Sequence, residues 1–479
     1  MRAASRRGWS IDGRRRHANQ QVAGKAELRV IPQPIGILVL LIGFLVRANG
    51  AVRAQVVFCL FGASAAVQMP ALGGATLVPA VLFLPFLAYW ALREVPLTFW
   101  RHVPRGAAWY MGLVAWGVIS AMLVPRLLEG QVNILTNDRS ASVPTVGAFP
   151  LRPVSGNFTQ TVYALGDLAA LVSFCILLAK PGRHGDFRKG VTILATLNIA
   201  AALTSIAAFY SGAFDPISVF RTAGAIFDAY EVGGLVRIQG MFSETSAFSG
   251  FSLPIFAFMA TLWLLDPRPG PAGPLALVTL LLLLFSTSAT AYAGLSAYGG
   301  LACAGLAARR IQAAVRRKPV LAVILIAAGV LLLAAILFEF RALTRVYEFF
   351  DQLLFKKMES ESGRQRGMLN TAAWSNFVDT FGLGVGLGST SASSYPLVLL
   401  SNVGLIGTGA FIGFLASLFP KERPAQRLSA VPEAARQAVL AALCAAAISA
   451  TVFELGVLFY AYAAAAMTPE RRTGAGGQR

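Results

Sequence analysis

The stretch LVRIQGMFSETSAFSGFSLPIFAFMATLWLLDPR, residues 235–268, decides the fold class. From Thr245 to Leu265 it contains no charged residue. A helix rises about 1.5 Å per residue, so such a run covers the roughly 30 Å hydrocarbon core of a bilayer. Arg237 and Glu244 stand at its mouth. A carboxylate at the edge of hydrocarbon is costly unless it is paired or hydrated, so this pair needs an explanation.

The rest of the chain repeats the pattern. Its 479 residues are 56% hydrophobic and only 13% charged, against about 25% charged in a soluble domain. Apolar runs fall near 34–46, 54–69, 76–92, 108–125, 160–180, 190–212, 245–265, 274–288, 290–308, 319–338, 396–418, 434–449 and 451–467. The expected fold is therefore all-α: a polytopic transmembrane bundle of about 12 spans, with a large external loop carrying short amphipathic helices.

The net charge of +19 lies mostly in short connections, which is the positive-inside pattern. Basic segments at 309–318, 181–189 and 421–427, and around Arg93, Arg101 and Arg105, read as cytoplasmic. The expected organisation is a basic cytoplasmic tail over 1–30 and transmembrane helices over 31–338, with external loops near 126–159 and 213–244. A large external loop over 339–395, C-terminal helices over 396–467 and a cytoplasmic tail over 468–479 complete it. Thirteen runs cannot place both tails inside, so the first hairpin reads as miscounted. No basic face with interleaved aromatics forms a folded module, which excludes nucleic acid as a partner. Cys59, Cys175, Cys303 and Cys444 lie far apart in apolar runs and read as packing residues. His17, His102 and His184 have no second ligand nearby, so no metal is expected.

Three stretches could carry chemistry. Arg237 and Glu244 are seven residues apart and would share one face of a continuous helix. Alternatively they cap the junction, or Arg237 snorkels to the interface. In ESGRQRGMLNTAAW, 361–374, Arg364 and Arg366 bracket one residue. Two guanidiniums that close suit a doubly charged oxyanion; alternatively Glu359 and Glu361 neutralise a solvated charge run. In FSTSATAYAG, 285–294, Ser286, Thr287, Ser288 and Thr290 read as satisfying backbone groups at helix ends; alternatively such a hydroxyl cluster binds sugars. Glu454 reads as the main charge within a span.

The external loop 339–395 is patterned. Leu343, Val346, Tyr347, Phe350, Leu353 and Leu354 recur at helical spacing, and MLNTAAWSNFVDTF, 368–381, reads as a second helix. Such helices lie along the membrane surface or close over a cavity. GLGVGLG, 382–388, then turns the chain tightly. Arg237, Arg364 and Arg366 face outward against the positive-inside bias. An outward basic pocket suits an anionic lipid-linked substrate, with its tail in the bilayer and its phosphates at the interface.

RIQGMFSETSAFSGF, 237–251, resembles the arginine–glycine–phenylalanine motif of the O-antigen polymerase and O-antigen ligase superfamily of bacterial inner-membrane proteins. SGRQRGMLNTAAWSNFVDTFGLGVGLGS, 362–389, followed by YPLVLLSNVGLIGTGAFIGFL, 395–415, is similar to that superfamily's large periplasmic loop and the span after it. The pattern of arginine, tryptophan, glycine turn and "GLIG" helix start matches Arg364 or Arg366, Trp374, Gly384–Gly388 and Gly404–Gly407. The resemblance covers roughly 190–420. The chain departs from it at Thr380 and Phe381, where the family often has proline, and at Asn402, where it often has an acid. Ser393 and Ser394 stand where a ligase is expected to carry histidine, which favours a polymerase.

The resemblance implies inverting glycosyl transfer from an undecaprenyl-pyrophosphate-linked glycan, with no metal or other cofactor required. It implies Arg364 and Arg366 as catalytic cations on the leaving pyrophosphate, with Arg237 binding the same group, and Glu244 as base for the acceptor hydroxyl. Implied partners are the lipid-linked glycan, the bilayer, and a chain-length regulator and flippase of the same pathway. The alternatives are a ligase acting on lipid A core or protein, and a flippase or transporter of lipid-linked glycan.

Overall fold

The computed structural model describes residues 31–69, 75–94, 103–138, 145–223, 231–232, 235–303, 361–419 and 430–469. Among these residues the chain forms thirteen α-helices. They are α1 (Pro34–Leu45), α2 (Ala48–Phe58), α3 (Pro79–Glu94), α4 (Ala107–Leu127), α5 (Ser155–Leu178), α6 (Arg183–Ser211) and α7 (Thr245–Leu265). There follow α8 (Ala272–Phe285), α9 (Ala289–Cys303), α10 (Glu361–Asp379), α11 (Tyr395–Leu418), α12 (Ala430–Ser449) and α13 (Val457–Met467). Six of them, α4, α5, α6, α7, α11 and α12, are long and apolar enough to cross a membrane. Helix is what such sequence must form there, because hydrocarbon offers no partner to an open backbone group. Helices α1, α8 and α13 are shorter apolar helices, as is the stretch Ala48–Phe61 that contains α2. The expected run 319–338 and the helix around Leu343–Leu354 lie outside the described residues, so a count near twelve rests on more than the six long helices.

Helix α13 occupies the centre. Every one of its residues is buried, packed against α5 and α12. A helix apolar on all sides is an interior helix. At 11 residues it is too short to cross. The run 451–467 expected as a span is thus a non-helical segment, 450–456, leading into a buried half-length helix. Around this centre α12 packs on α7, α11 on α4, and α2 on α6. The free cysteines Cys59, Cys175 and Cys444 are buried packing residues, as their sequence context implied.

One end of the bundle gathers charge. Arg53 pairs with Asp186 at 3.5 Å, and Arg183 with Glu94. Arg188 Nη1 lies 2.5 Å from Asp266. There too His184 Nε2 meets the Thr468 carbonyl at 3.1 Å. Arg436, 7% exposed, donates to the carbonyls of Leu418 at 3.0 Å and Ala466 at 3.2 Å. It thereby closes the C-terminal ends of α11 and α13, where cations are favoured.

The opposite end carries longer connections. Strands β1 (Ile31–Pro32), β2 (Val67–Met69) and β3 (Ala75–Leu77) form an antiparallel sheet. Because β1 pairs with β2, the hairpin of α1 and α2 returns to the end it left, so both helices are real. Within 126–159, β4 (Asn133–Asp138) and β5 (Thr145–Pro150) pair antiparallel.

The glycine run locks into α11. Gly404 sits inside that helix at φ 61°, ψ −161°, a conformation essentially reserved for glycine. Leu405 N donates to the Gly382 carbonyl at 2.9 Å. The GLIG segment is therefore a kink at which the second half of α11 restarts, rather than the start of the helix.

Candidate functional site

Two cavities flank the start of α7, at the end of the bundle opposite the ion pairs of Arg53, Arg183 and Arg188. The first is about 220 Å³ and is lined by Ser205 of α6, Asp215, Arg221, Arg237 and Gln239, among others. Local sequence builds it. Helix α6 stops at Gly212, φ 68°, and Asp215 then caps the 3-10 turn Pro216–Phe220, its Oδ1 accepting from Ile217 N at 3.0 Å. Asp215 Oδ2 accepts from Arg221 Nη2 at 2.7 Å and from Ser205 Oγ at 3.0 Å. Arg221 is 9% exposed. Its Nε donates to the Gly240 carbonyl at 2.8 Å, which a turn at φ +54° presents. Arg221 thus ties loop 213–223 to the strand of chain that enters α7. Arg237 is half-buried beside it, and its Nε reaches Thr245 Oγ1 at 3.4 Å.

The second cavity is about 510 Å³. It runs from Glu244 down α7 to Pro254, a depth of ~15 Å, between α7, the end of α12 and the 450–456 segment. Two carboxyls line it, Glu244 and Glu454, and its floor includes Tyr462. Glu244 is the residue before the first turn of α7, where the helix dipole favours an anion. Its Oε1 accepts from Ser246 Oγ. Burial pushes the Glu454 carboxyl up from its ordinary 4.5 to about 7. The Tyr462 hydroxyl is buried without a hydrogen-bond partner among the described residues.

The two cavities share a wall. Arg221 and Gln239 face the first, whereas Ala223 and Phe242 face the second. Arg237 and Glu244 therefore come to the same junction but not by the expected route. Residues 237–243 are not helical and α7 begins only at Thr245, so the pair does not share a helix face. The turn at Gly240 sends them into adjoining cavities instead.

Arg364 and Arg366 stand elsewhere. Both lie near the start of α10 and line none of these cavities. Residues two apart on a helix point about 200° away from each other, so the pair cannot close as one fork on one oxyanion. Arg364 is exposed and Arg366 half-buried, consistent with opposite faces. Helix α10 packs on α11 and β4. It leaves Trp374 and Val378 exposed at 51% each, and Phe381, just past its C-terminal end, at 99%. Ser286, Thr287, Ser288 and Thr290 are buried in the turn between α8 and α9. Ser286 Oγ donates to the Leu283 carbonyl at 2.7 Å, the backbone role expected of it, whereas the Thr287 and Ser288 hydroxyls are buried without a hydrogen-bond partner among the described residues.

Sequence reasoning missed three residues. Arg221 met the same outward-arginine criterion as Arg237, and Asp215 before Pro216 is a helix-capping signal. Asp167 interrupts the apolar run TVYALGDLAALVSF, 161–174, in mid-helix; it is 4% exposed, and Glu454 is an electrostatic neighbour. Glu454 was seen, but not that it shares a cavity with Glu244. Among the described residues, no three or more His, Cys, Asp or Glu side chains are grouped to hold a metal ion. No family model matches the chain, and a comparison with characterised proteins finds none similar in sequence.

Proposed function

We propose that this protein is a membrane-embedded glycosyltransferase that polymerises undecaprenyl-pyrophosphate-linked repeat units at the periplasmic face of a bacterial inner membrane. The observation that carries the reading is the shared wall: an arginine cavity and a carboxyl cavity meet at the start of α7. Glycosyl transfer from a lipid pyrophosphate needs those two chemistries side by side. The acceptor hydroxyl attacks the sugar C1, the C1–O bond to pyrophosphate breaks, and the configuration inverts. Charge grows on the leaving pyrophosphate, where a fixed cation stabilises the transition state most. Arg237 takes that role, with Arg221 and Asp215 fixing the loop around it. The acceptor proton passes to Glu454 or Glu244, and a carboxyl titrating near pH 7 is well matched to that transfer. Arg364 and Arg366 act earlier, drawing the anionic donor to the surface of α10.

The test is the glycan size ladder in a deletion strain complemented with Arg237→Ala, Glu454→Gln or Arg364→Ala/Arg366→Ala. Polymerisation predicts single repeats on the carrier and no long chains for the first two. Long chains that stay on the carrier indicate a ligase. Ladders like wild type in all variants refute the reading. One observation favours transport as a second reading: Asp167 is buried in mid-span, where ionisable residues mark translocation paths. Asp167→Asn should then block appearance of lipid-linked single repeats at the outer face, a defect polymerisation does not predict.

A further inference from the structure

A third cavity, about 600 Å³, opens beside the carboxyl cavity, between the end of β5, the start of α5, the turn 388–391 and Val452–Phe453. We infer that it is an oligosaccharide-binding site, holding the part of the glycan beyond the reacting sugar. The inference rests on the proposed glycosyl transfer and adds a second locus to it.

Its size is that of a small-ligand site, and its walls are amphipathic in the way a sugar is. Ser155, Thr159, Gln160 and Ser391 present hydroxyl and amide groups, while Phe149 and Phe453 present rings. A pyranose offers the complement: hydroxyls at its edge and a C–H face that packs on an aromatic ring. Some polar wall groups are consumed by the fold. Asn402 accepts from Gly388 N at 2.9 Å and donates to the Val398 carbonyl at 2.9 Å, and Thr390 Oγ1 donates to the Leu135 carbonyl at 3.2 Å. Gln160 Oε1 is different: it is buried without a hydrogen-bond partner among the described residues, an acceptor that a donor such as a sugar hydroxyl would satisfy. Thr159 Oγ1 likewise donates to the Ser155 carbonyl at 3.0 Å, but an acyl chain here would leave the Gln160 acceptor unpaired, at a cost that disfavours lipid. Arg152, exposed at the mouth, adds a planar fork of donors for ring hydroxyls or a sugar carboxylate.

Position supplies the remaining argument. Val452 lines both this cavity and the carboxyl cavity, Phe453 lines only this one, and Glu454 only the other. Phe453 and Glu454, neighbours on this non-helical segment, thus turn to different cavities. Adjacent Cα atoms are about 3.8 Å apart. A glycan whose terminal sugar is at Glu454 can therefore lay its next residues across Val452 into the third cavity. Gly156 keeps the entrance tight: a Cβ there would meet the Gly388 carbonyl oxygen at 2.4 Å.

The test uses the full chain in lipid nanodiscs. The probe is the repeat-unit oligosaccharide released from its carrier by mild acid, titrated by saturation-transfer NMR. Relative to wild type, Arg152→Ala and Gln160→Leu should each weaken binding about tenfold. In cells the same two variants should shift the ladder toward short chains. Equal binding by wild type and both variants overturns the site, as does a wild-type ladder in both. Arg152 is exposed, so its variant remains a test even if Gln160→Leu fails to fold. Failure of glycosyl transfer itself reads differently: Arg237→Ala then keeps a wild-type ladder, whatever the probe shows.

Discussion

Replacing Gly404 with alanine probes the joint between the glycine run and α11. The backbone at φ 61°, ψ −161° lies in a region that costs a non-glycine residue about 1–3 kcal/mol. The added Cβ would also stand 2.2 Å from the Leu383 carbonyl oxygen and 2.4 Å from that of Gly382. Both are backbone atoms, so no side chain can swing aside, and forced repacking costs a further ~1–3 kcal/mol. The sum, about 2–6 kcal/mol, is a large part of a typical folding free energy. At roughly 2.1 cal/mol/K per residue, unfolding of 479 residues has an entropy of about 1 kcal/mol/K. The midpoint should therefore fall by ~2–6 °C, and by more if helices persist in detergent and lower that entropy. The assay is loss of monodisperse protein on heating in detergent. Gly409→Ala is the control, because a Cβ there meets nothing within 4 Å and alanine is the better helix former. If both variants melt together, the argument from backbone strain at Gly404 is wrong.

Glu454→Gln should flatten a pH dependence. A carboxyl raised from 4.5 to about 7 favours its neutral form, so its stabilisation is full below pH 4.5 and is lost as pH rises through 7, about 3 kcal/mol in all. Thermal midpoints of wild type across that window should fall relative to the variant, and wild-type coupling should increase through pH 7 as the base deprotonates. Arg221→Ala should destabilise by about 3–5 kcal/mol by leaving Asp215 without its cation, whereas Arg237→Ala should keep the wild-type midpoint and lose coupling; melting curves and glycan ladders together separate the two. Arg436→Ala should lower the midpoint as well, since the last carbonyls of α11 and α13 lose their donor. Trp374→Ser/Phe381→Ser should weaken protection of α10 in hydrogen exchange on nanodiscs if that stripe lies in the interface.

Much of this protein is legible locally. Uncharged runs of twenty or so residues specify helices, since backbone in hydrocarbon has no other solution. The observed Thr245–Leu265, Tyr395–Leu418 and Pro34–Leu45 fall within a residue or so of the sequence bounds. Arginines in outward loops flagged Arg237 because charge there needs a reason. Three things were not local. The seven-residue spacing of Arg237 and Glu244 suggested one helix face, but the positive-φ turn at Gly240 divides them between two cavities. The adjacency of Arg364 and Arg366 in sequence suggested one clamp, but helical geometry turns them apart. The pairing of Glu244 with Glu454 joins residues two hundred positions apart, brought together by the packing of α12 on α7. Sequence by itself determined which segments leave water, because transfer free energy is summed along the chain. Only the tertiary structure decided which outward charges meet, because that depends on which helices pack together and where glycine lets the backbone turn.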